Sequence, residues 1–236
     1  MAMYRFYQKS EEGVWHPIVD SERVEEDAKK QGAKKLTILA VDKPLGEEDA
    51  RRGHQYKGPL YFDIDTDDGN VAEAISSARQ LVRNLIDTYE TPVAGIQVYL
   101  SGKKGLHVIV DQRCFMTRRT AIKDLPLVYK QMATELFVTG LDLAPYACGK
   151  NNTFRIANVK RFDGNYRVPI TLAELATLTP ETYKTLVAAP RPEIPIQEYT
   201  GECSITLHTL YQQCSDAALK NERELTDRNR SMPDST

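Results

Sequence analysis

The stretch that most constrains this chain is Tyr61-Phe62-Asp63-Ile64-Asp65-Thr66-Asp67-Asp68, preceded by Pro59-Leu60. Its apolar lead-in predicts a buried β-strand. Successive side chains of a strand point to opposite faces, so Asp63 and Asp65 share one face while Phe62 and Ile64 enter a core. Neighbouring carboxylates repel, and a cation between them relieves the cost. An oxygen-only pair suits Mg²⁺ or Mn²⁺. The plainer alternative is a strand ending in an acidic turn, with Asp67, Asp68, Gly69 and Asn70 as turn and helix-cap residues. That alternative suits Asp67, Asp68 and Asn70 better than it suits Asp63 and Asp65, which sit deeper in the strand.

Bulk composition adds exclusions. The 236 residues suffice for one large domain or two small ones. A net charge of -2 gives no global basic signature, so any nucleic-acid partner must be met by a local patch. No stretch approaches the ~20 apolar residues of a membrane span, and Met-Ala-Met-Tyr-Arg-Phe does not read as a signal peptide. The widely spaced Cys114, Cys148, Cys203 and Cys214 fit a reducing compartment. The expectation is a cytoplasmic protein without membrane contact.

Along the chain, residues 3–19 read as a hairpin around Glu11-Glu12-Gly13. Residues 21–31 read as a polar helix stopped by Gly32, and 35–41 as a buried strand. Arg51, Arg52, His54, Tyr56 and Lys57 form a basic cluster ahead of the acidic strand. His54 reads as structural there, while Arg51, Arg52 and Lys57 suit either a solvated loop or a phosphate contact. After Asp68, Ile75, Ala78, Leu81, Val82 and Leu85 fall at helical spacing, and Pro92 bars continuation. Strands follow at 96–100 and 106–110. A long helix is expected over 118–139, with Pro126 marking a kink or a later start. A short strand is expected over 141–146 and a hairpin over 153–169 turning at Asp163-Gly164-Asn165. One or two helices are expected over 171–188, broken near Pro180. The prolines at 190, 192 and 195 mark an extended exit, and 215–236 a polar segment with a disordered end.

Between two of these strands lies Ser101-Gly102-Lys103-Lys104-Gly105-Leu106-His107. Its glycines let backbone N–H groups face an anion, the lysines add charge and Ser101 adds a hydroxyl. Such a loop suits a triphosphate, although singly it also reads as a tight turn with exposed lysines. His107 opens the next strand and shares a face with Ile109 and Asp111.

A D-x-D strand alone is common to glycosyltransferases, nucleases and polymerases. Joined to S-G-K-K-G-L-H-V-I-V-D, it resembles the catalytic subunits of the archaeo-eukaryotic primase superfamily. That family carries a third acidic residue in an apolar context, matched here by Leu141-Asp142-Leu143. Asn152-Thr153-Phe154-Arg155-Ile156 looks like the N-x-F-R segment of primase-polymerases, and residues 160–170 look like the hairpin ending in V-P-I. The resemblance spans about Gly58 to Leu175. It implies an α/β (α+β) fold whose mixed sheet bears the three aspartates. The implied layout is an N-terminal α/β flank over 1–57, a catalytic core over 58–190 and a C-terminal extension over 191–236. It implies two Mg²⁺ or Mn²⁺ ions on Asp63, Asp65 and Asp142. It also implies a nucleoside triphosphate held by Ser101, Lys103, Lys104, His107, Arg155 and Lys160 or Arg161. The partners implied are a single-stranded DNA template, ribo- or deoxynucleotides, and a helicase or accessory domain in a longer parent of phage, plasmid or mobile-element type. Two departures stand out. Gly105 occupies the position, two before the histidine, where many members carry serine. Cys203, His208 and Cys214 offer only three ligands toward a zinc knuckle that needs four, so structural zinc is not expected. Primer synthesis on single-stranded DNA is the expectation. A gap-filling polymerase, a non-catalytic replication-initiation module and an unrelated D-x-D glycosyltransferase are the competing ones.

Overall fold

The computed structural model describes residues 2–10, 13–44, 53–66, 69–150, 152–194 and 199–231. In chain order its first elements are β1 (Tyr4–Gln8), β2 (His16–Val19), α1 (Val24–Lys30), β3 (Lys35–Thr37), β4 (Ala40–Val41), β5 (Gln55–Lys57), β6 (Leu60–Ile64) and α2 (Val71–Asp87). Then come β7 (Ile96–Leu100), β8 (Leu106–Val110), β9 (Ile122–Lys123), α3 (Leu125–Glu135), β10 (Leu141–Asp142), β11 (Thr153–Arg155) and β12 (Val168–Ile170). The chain closes with α4 (Leu172–Thr177), α5 (Pro180–Val187) and α6 (Ile205–Ser231). The class is α/β, as expected, but the sheet is not the mixed one expected: the strands divide between two sheets whose described ladders are all antiparallel.

The five-stranded sheet runs β10-β6-β8-β7-β12. One face is wholly apolar: Leu60, Phe62, Ile64, Leu106, Val108, Val110, Val98 and Leu100 are all buried. It is covered by α2, whose Ala74, Ile75, Ala78, Leu81, Val82 and Leu85 form the stripe read from the sequence. Asn70 caps α2, its side chain accepting from the Glu73 N–H. From α2, Arg79 donates to the carbonyls of Leu175 and Leu178 at 2.8 and 2.6 Å, satisfying the open C-terminal end of α4. The opposite face of the sheet carries the polar residues of the site.

The second sheet runs β11-β3-β1-β4-β5-β9, with β2 added to β1. The expected N-terminal hairpin is there as the β1–β2 pair, though Glu11 and Glu12 lie outside the described residues. The flank over 1–57 does not stand by hydrogen bonding alone, because β9 and β11 arrive from far downstream. Arg51, Arg52, Asp67 and Asp68 lie outside the described residues, while Lys57 pairs with Asp20 at 3.3 Å. His54 pairs with Asp42 at 3.5 Å, a structural role.

Several sequence expectations are corrected. The strand over 35–41 is two strands, because Asn152 takes the backbone N–H groups between them: Ile38 donates to its carbonyl and Leu39 to its side-chain oxygen. The helix over 118–139 is shorter. Residues 122–123 pair with β5 instead, and α3 begins late, with Pro126 in its first turn. The strand over 141–146 ends at Asp142, whose carboxylate caps the Ala144 N–H at 2.8 Å and turns the chain. The two ends of the supposed 153–169 hairpin enter different sheets, β11 pairing with β3 and β12 with β7; the segment pairs with itself only near the turn, where Lys160 and Tyr166 bridge and Asn158 donates to the Arg167 carbonyl. The polar C-terminal segment is helical through Ser231. Tyr211 and Cys214 of α6 are buried, where the helix packs against α3.

The Gly105 departure has a steric cause. A Cβ there would sit 2.3 Å from the Ile64 carbonyl oxygen, a backbone atom that cannot swing aside. Gly105→Ala should therefore cost about 1–3 kcal/mol by overpacking. Gly164, at φ +91° with open space around it, should cost only about 1 kcal/mol when changed to Ala, from the left-handed conformation alone. Urea denaturation checks both, and equal losses at the two positions would reject the steric account.

Candidate active site

The antiparallel register lays one row of side chains across the five-stranded sheet. Asp142 on β10 stands opposite Asp63 on β6, Asp63 opposite His107 on β8, and His107 opposite Tyr99 on β7. Residues directly across a ladder project from the same face, so strand pairing alone gathers an acid pair and a histidine from three distant stretches. Asp65 lies just past the end of β6, its N–H bonded to the Gly140 carbonyl at 2.7 Å. Both carboxylates of the D-x-D are therefore at the site, but only Asp63 is inside the ladder.

The electrostatics follow from this crowding. Burial, then the charges of Asp65 and Asp142, push the Asp63 carboxyl up to about 7, against a smaller opposing pull from Arg167. One Asp65 oxygen is buried without a hydrogen-bond partner, 3.5 Å from the Lys104 ammonium. Among the described residues no three ligating side chains converge into a ready cluster. Asp65 leans to Lys104 and Asp142 to the Ala144 backbone.

His107 is buried, and its ring stacks on Phe154 with centroids 3.9 Å apart and planes within 8°. The Arg167 Nε–H donates to His107 Nδ1 at 3.0 Å. That bond leaves the proton on Nε2, which lies 3.4 Å from the Asp63 carboxylate. Burial, Arg167 and Arg161 hold the imidazole well below its ordinary pKa, so it is a neutral donor. Arg167 is itself 4% exposed, its guanidinium 3.7 Å over the Tyr99 ring and 5.5 Å from Phe154.

The loop between β7 and β8 is held from within. Ser101 Oγ accepts from the Gly105 N–H at 3.1 Å, and Tyr183 of α5 donates to the Gly105 carbonyl at 2.9 Å. A cavity of about 320 Å³ opens beside this loop, lined among others by Asp63, Ser101, His107, Phe154, Arg155 and Arg161. Of the 160–161 pair, one residue lines this cavity. Arg161 faces the cavity, reaching the Ser101 carbonyl at 3.4 Å and Asp163 at 3.1 Å, whereas Lys160 is exposed and does not line it. Neither loop lysine lines it. Lys103 is exposed, and Lys104 is engaged with the Thr66 carbonyl at 2.5 Å. Asp111, on the face of His107, is taken up by Arg113 and Arg119; their hydrogen bonds outweigh the burial that would raise its carboxyl and hold it low.

Sequence reasoning missed Arg167, Phe154 and Tyr99 as functional groups. Tyr99 was findable, since it lies opposite His107 once β7 and β8 pair. Arg167 was not, because its place depends on the 153–170 segment crossing between sheets. Cys203, His208 and Cys214 form no ligand set among the described residues, and the His208 ring is engaged with the Phe115 carbonyl at 2.7 Å.

No family model matches the chain, and no curated protein matches it. Among solved structures it is similar to the polymerase domain of Mycobacterium tuberculosis ligase D in complex with DNA, at 18% identity and TM-score 0.45, over 78% of this chain and 70% of that one. It is also similar to the primase RepB′, at 13% identity and TM-score 0.44, over 97% of this chain and 62% of that one. At these identities and scores the chemistry of this chain rests on its own residues.

Proposed function

We propose that this chain is a nucleotidyltransferase of primase-polymerase type, joining nucleotides on a single-stranded DNA template. The observation that carries the reading is the row Asp142–Asp63–His107, of which Asp63 and His107 line a cavity that Arg161 and Arg155 make attractive to anions. Acids that want a cation and cations that want a phosphate meet in one place.

The donor set fits divalent metal. Three carboxylates supply hard oxygens, one Asp65 oxygen lacks a hydrogen-bond partner, and burial together with its acidic neighbours holds the Asp63 carboxyl up. Mg²⁺ or Mn²⁺ held by Asp63, Asp65 and Asp142 would supply activation of a 3′-hydroxyl and neutralisation of phosphate charge. The other duties fall to the chain. His107 presents its Nε2–H toward the acid row, where a phosphate oxygen can accept it. Arg161 offers a planar fork to the triphosphate, and Ser101 fixes the loop that shapes the cavity. Phe154, stacked on His107, gives the nucleotide a wall to lie against.

Unprimed single-stranded DNA, labelled nucleotides and Mg²⁺ or Mn²⁺ test this directly. Short oligomers are expected, and Asp63→Ala or Asp65→Ala should lower the yield by about 10³-fold or more. Extension of an annealed primer without initiation would make the chain a polymerase only. No product of either kind would overturn the enzymatic reading in favour of a binding module.

Arg161→Gln should weaken nucleoside triphosphate binding by roughly tenfold, the scale of one charge-assisted contact, while Lys103→Gln leaves it within about twofold. The reverse order in nucleotide titrations would return the triphosphate to the lysine loop.

Acid crowding also predicts a pH effect on stability. A carboxyl raised from 3.8 to about 7 on folding penalises the folded state. The penalty is absent below about pH 4, grows through the interval and is complete above about pH 7. Asp63→Asn should therefore raise the Tm at pH 8 and leave it nearly unchanged at pH 4. Millimolar Mg²⁺ should raise the Tm of the normal protein at pH 8 and not that of Asp63→Asn. A variant less stable at both pH values would show that repulsion is not the cause.

A further inference from the structure

The cavity lined by Asp63, His107 and Arg161 has a second end, built by the N-terminal sheet, to which no duty has fallen. Strand register explains what gathers there. Lys35 on β3 stands opposite Gln8 on β1 and opposite Arg155 on β11. Residues directly across a ladder share a face, so Gln8, Lys35 and Arg155 form one row, and all three line the cavity. The β1–β2 ladder reaches Tyr7 opposite His16. Trp15 comes just ahead of His16, where the register leads on to Gln8, and it lines the same cavity. The second sheet thus presents a row of its own to the space that Asp63 and His107 border.

Trp15 is half-buried, packing on the core while its remainder borders the cavity. Its loop is tied down by Gln8, whose Nε2 donates to the Gly13 carbonyl at 2.7 Å. That bond spends the amide nitrogen on the loop and leaves Oε1 without a hydrogen bond among the described residues. The charged lining is Lys35, Lys150, Arg155 and Arg161 against the single carboxylate of Asp63, with Asp163 pairing Arg161 at 3.1 Å from outside the cavity. Along the row come an aromatic ring, an amide acceptor, an ammonium and a guanidinium. A nucleotide has its parts in the same order: a flat base, a sugar bearing hydroxyl donors, then phosphates. A cavity of about 320 Å³ has the size of a site for one small molecule.

We infer that Trp15 stacks on the base of the incoming nucleoside triphosphate, with Gln8 Oε1 accepting from its sugar. This deepens the triphosphate reading of the Arg161 end and rests on it. Every base has a π-face, so an indole holds any of them alike. The choice of nucleotide is then left to pairing with the template, as templated synthesis requires.

Trp15 is the only tryptophan of the chain, so its emission reports on this position alone. The test titrates the full chain with ATP, with CTP and with inorganic tripolyphosphate, in Mg²⁺ without DNA, and reads fluorescence beside calorimetry. Both nucleotides should quench the emission saturably, whereas tripolyphosphate should bind and leave it unchanged. Trp15→Leu should weaken ATP about tenfold, the scale of one lost base–aromatic stack, and leave tripolyphosphate within about twofold. Trp15→Phe should keep most of the ATP affinity. A damaged fold would weaken both ligands together, so a loss confined to the base-bearing one is not a structural effect. Should Trp15→Leu fail to fold, the unaltered protein and Trp15→Phe still decide: ATP that binds fully without moving the emission overturns the inference. Quenching by a single-stranded oligonucleotide and not by nucleotides also overturns it, giving this end to DNA. ATP and tripolyphosphate binding alike, both weakened by Arg161→Gln and neither by Trp15→Leu, removes the base site and leaves the triphosphate reading standing. ATP quenching without primer synthesis keeps the base site and sinks nucleotidyl transfer.

Discussion

The site depends on one hydrogen bond, from Arg167 to His107. A histidine at the start of a buried strand can point either nitrogen inward and can take a proton when the surroundings allow. Arg167 removes both freedoms. A guanidinium cannot accept, so the ring nitrogen facing it must be bare, and a second proton would have to displace the bond. The arginine is held in turn by the faces of Tyr99 and Phe154. Cation–aromatic contact of a desolvated guanidinium is worth about 2 kcal/mol, which helps offset the burial. The outcome is a neutral donor aimed at the acid row, obtained from His107 of β8, Tyr99 of β7, Phe154 of β11 and Arg167 just ahead of β12.

That arrangement requires the two sheets to be sewn together, and residues 147–170 do the sewing. Asn152, fully buried, ends the β3 ladder and starts β4 by taking two backbone N–H groups. β11 then joins the N-terminal sheet, and β12 joins the acidic one. A single chain segment thereby delivers Phe154 and Arg155 to one wall of the cleft and Arg167 to the other. Tyr146, stacked on Tyr61 at 4.8 Å and donating to its carbonyl, anchors the approach to this crossing beneath the acid row. The N-terminal strands are thus half of the cleft and not an appendage to it.

What the sequence shows and hides follows from the range of the interactions. Period-two alternation placed Asp63, the helical stripe placed α2, and Pro180 marked the break between α4 and α5, all of which are local. The failures at 35–41 and 153–169 are non-local. The 35–41 run has the composition of one strand, and only a buried asparagine more than a hundred residues away divides it. The 153–169 stretch has hairpin turn chemistry at Asp163-Gly164-Asn165, and the turn forms, but the strands on either side find better partners in separate sheets. Lys103 and Lys104 looked alike in sequence. Only the approach of Thr66 and Asp65 distinguishes them in space.

Gly105 shows why a motif can move without losing its use. The β8 entry crosses the end of β6 so closely that no side chain fits at 105, because the Ile64 carbonyl fills the volume of a Cβ. A serine two residues before His107 is therefore sterically barred in this chain. The hydroxyl instead comes from Ser101, at the other end of the loop, and closes the turn by accepting from the Gly105 N–H. Tyr183 then takes the Gly105 carbonyl through its own hydroxyl. Both polar groups of the glycine peptide are satisfied in a spot where backbone meets backbone. The close approach brings Asp65, at the end of β6, beside the loop that carries Lys104. The tight crossing that excludes the serine is thus the same feature that holds the acidic and basic halves of the site together.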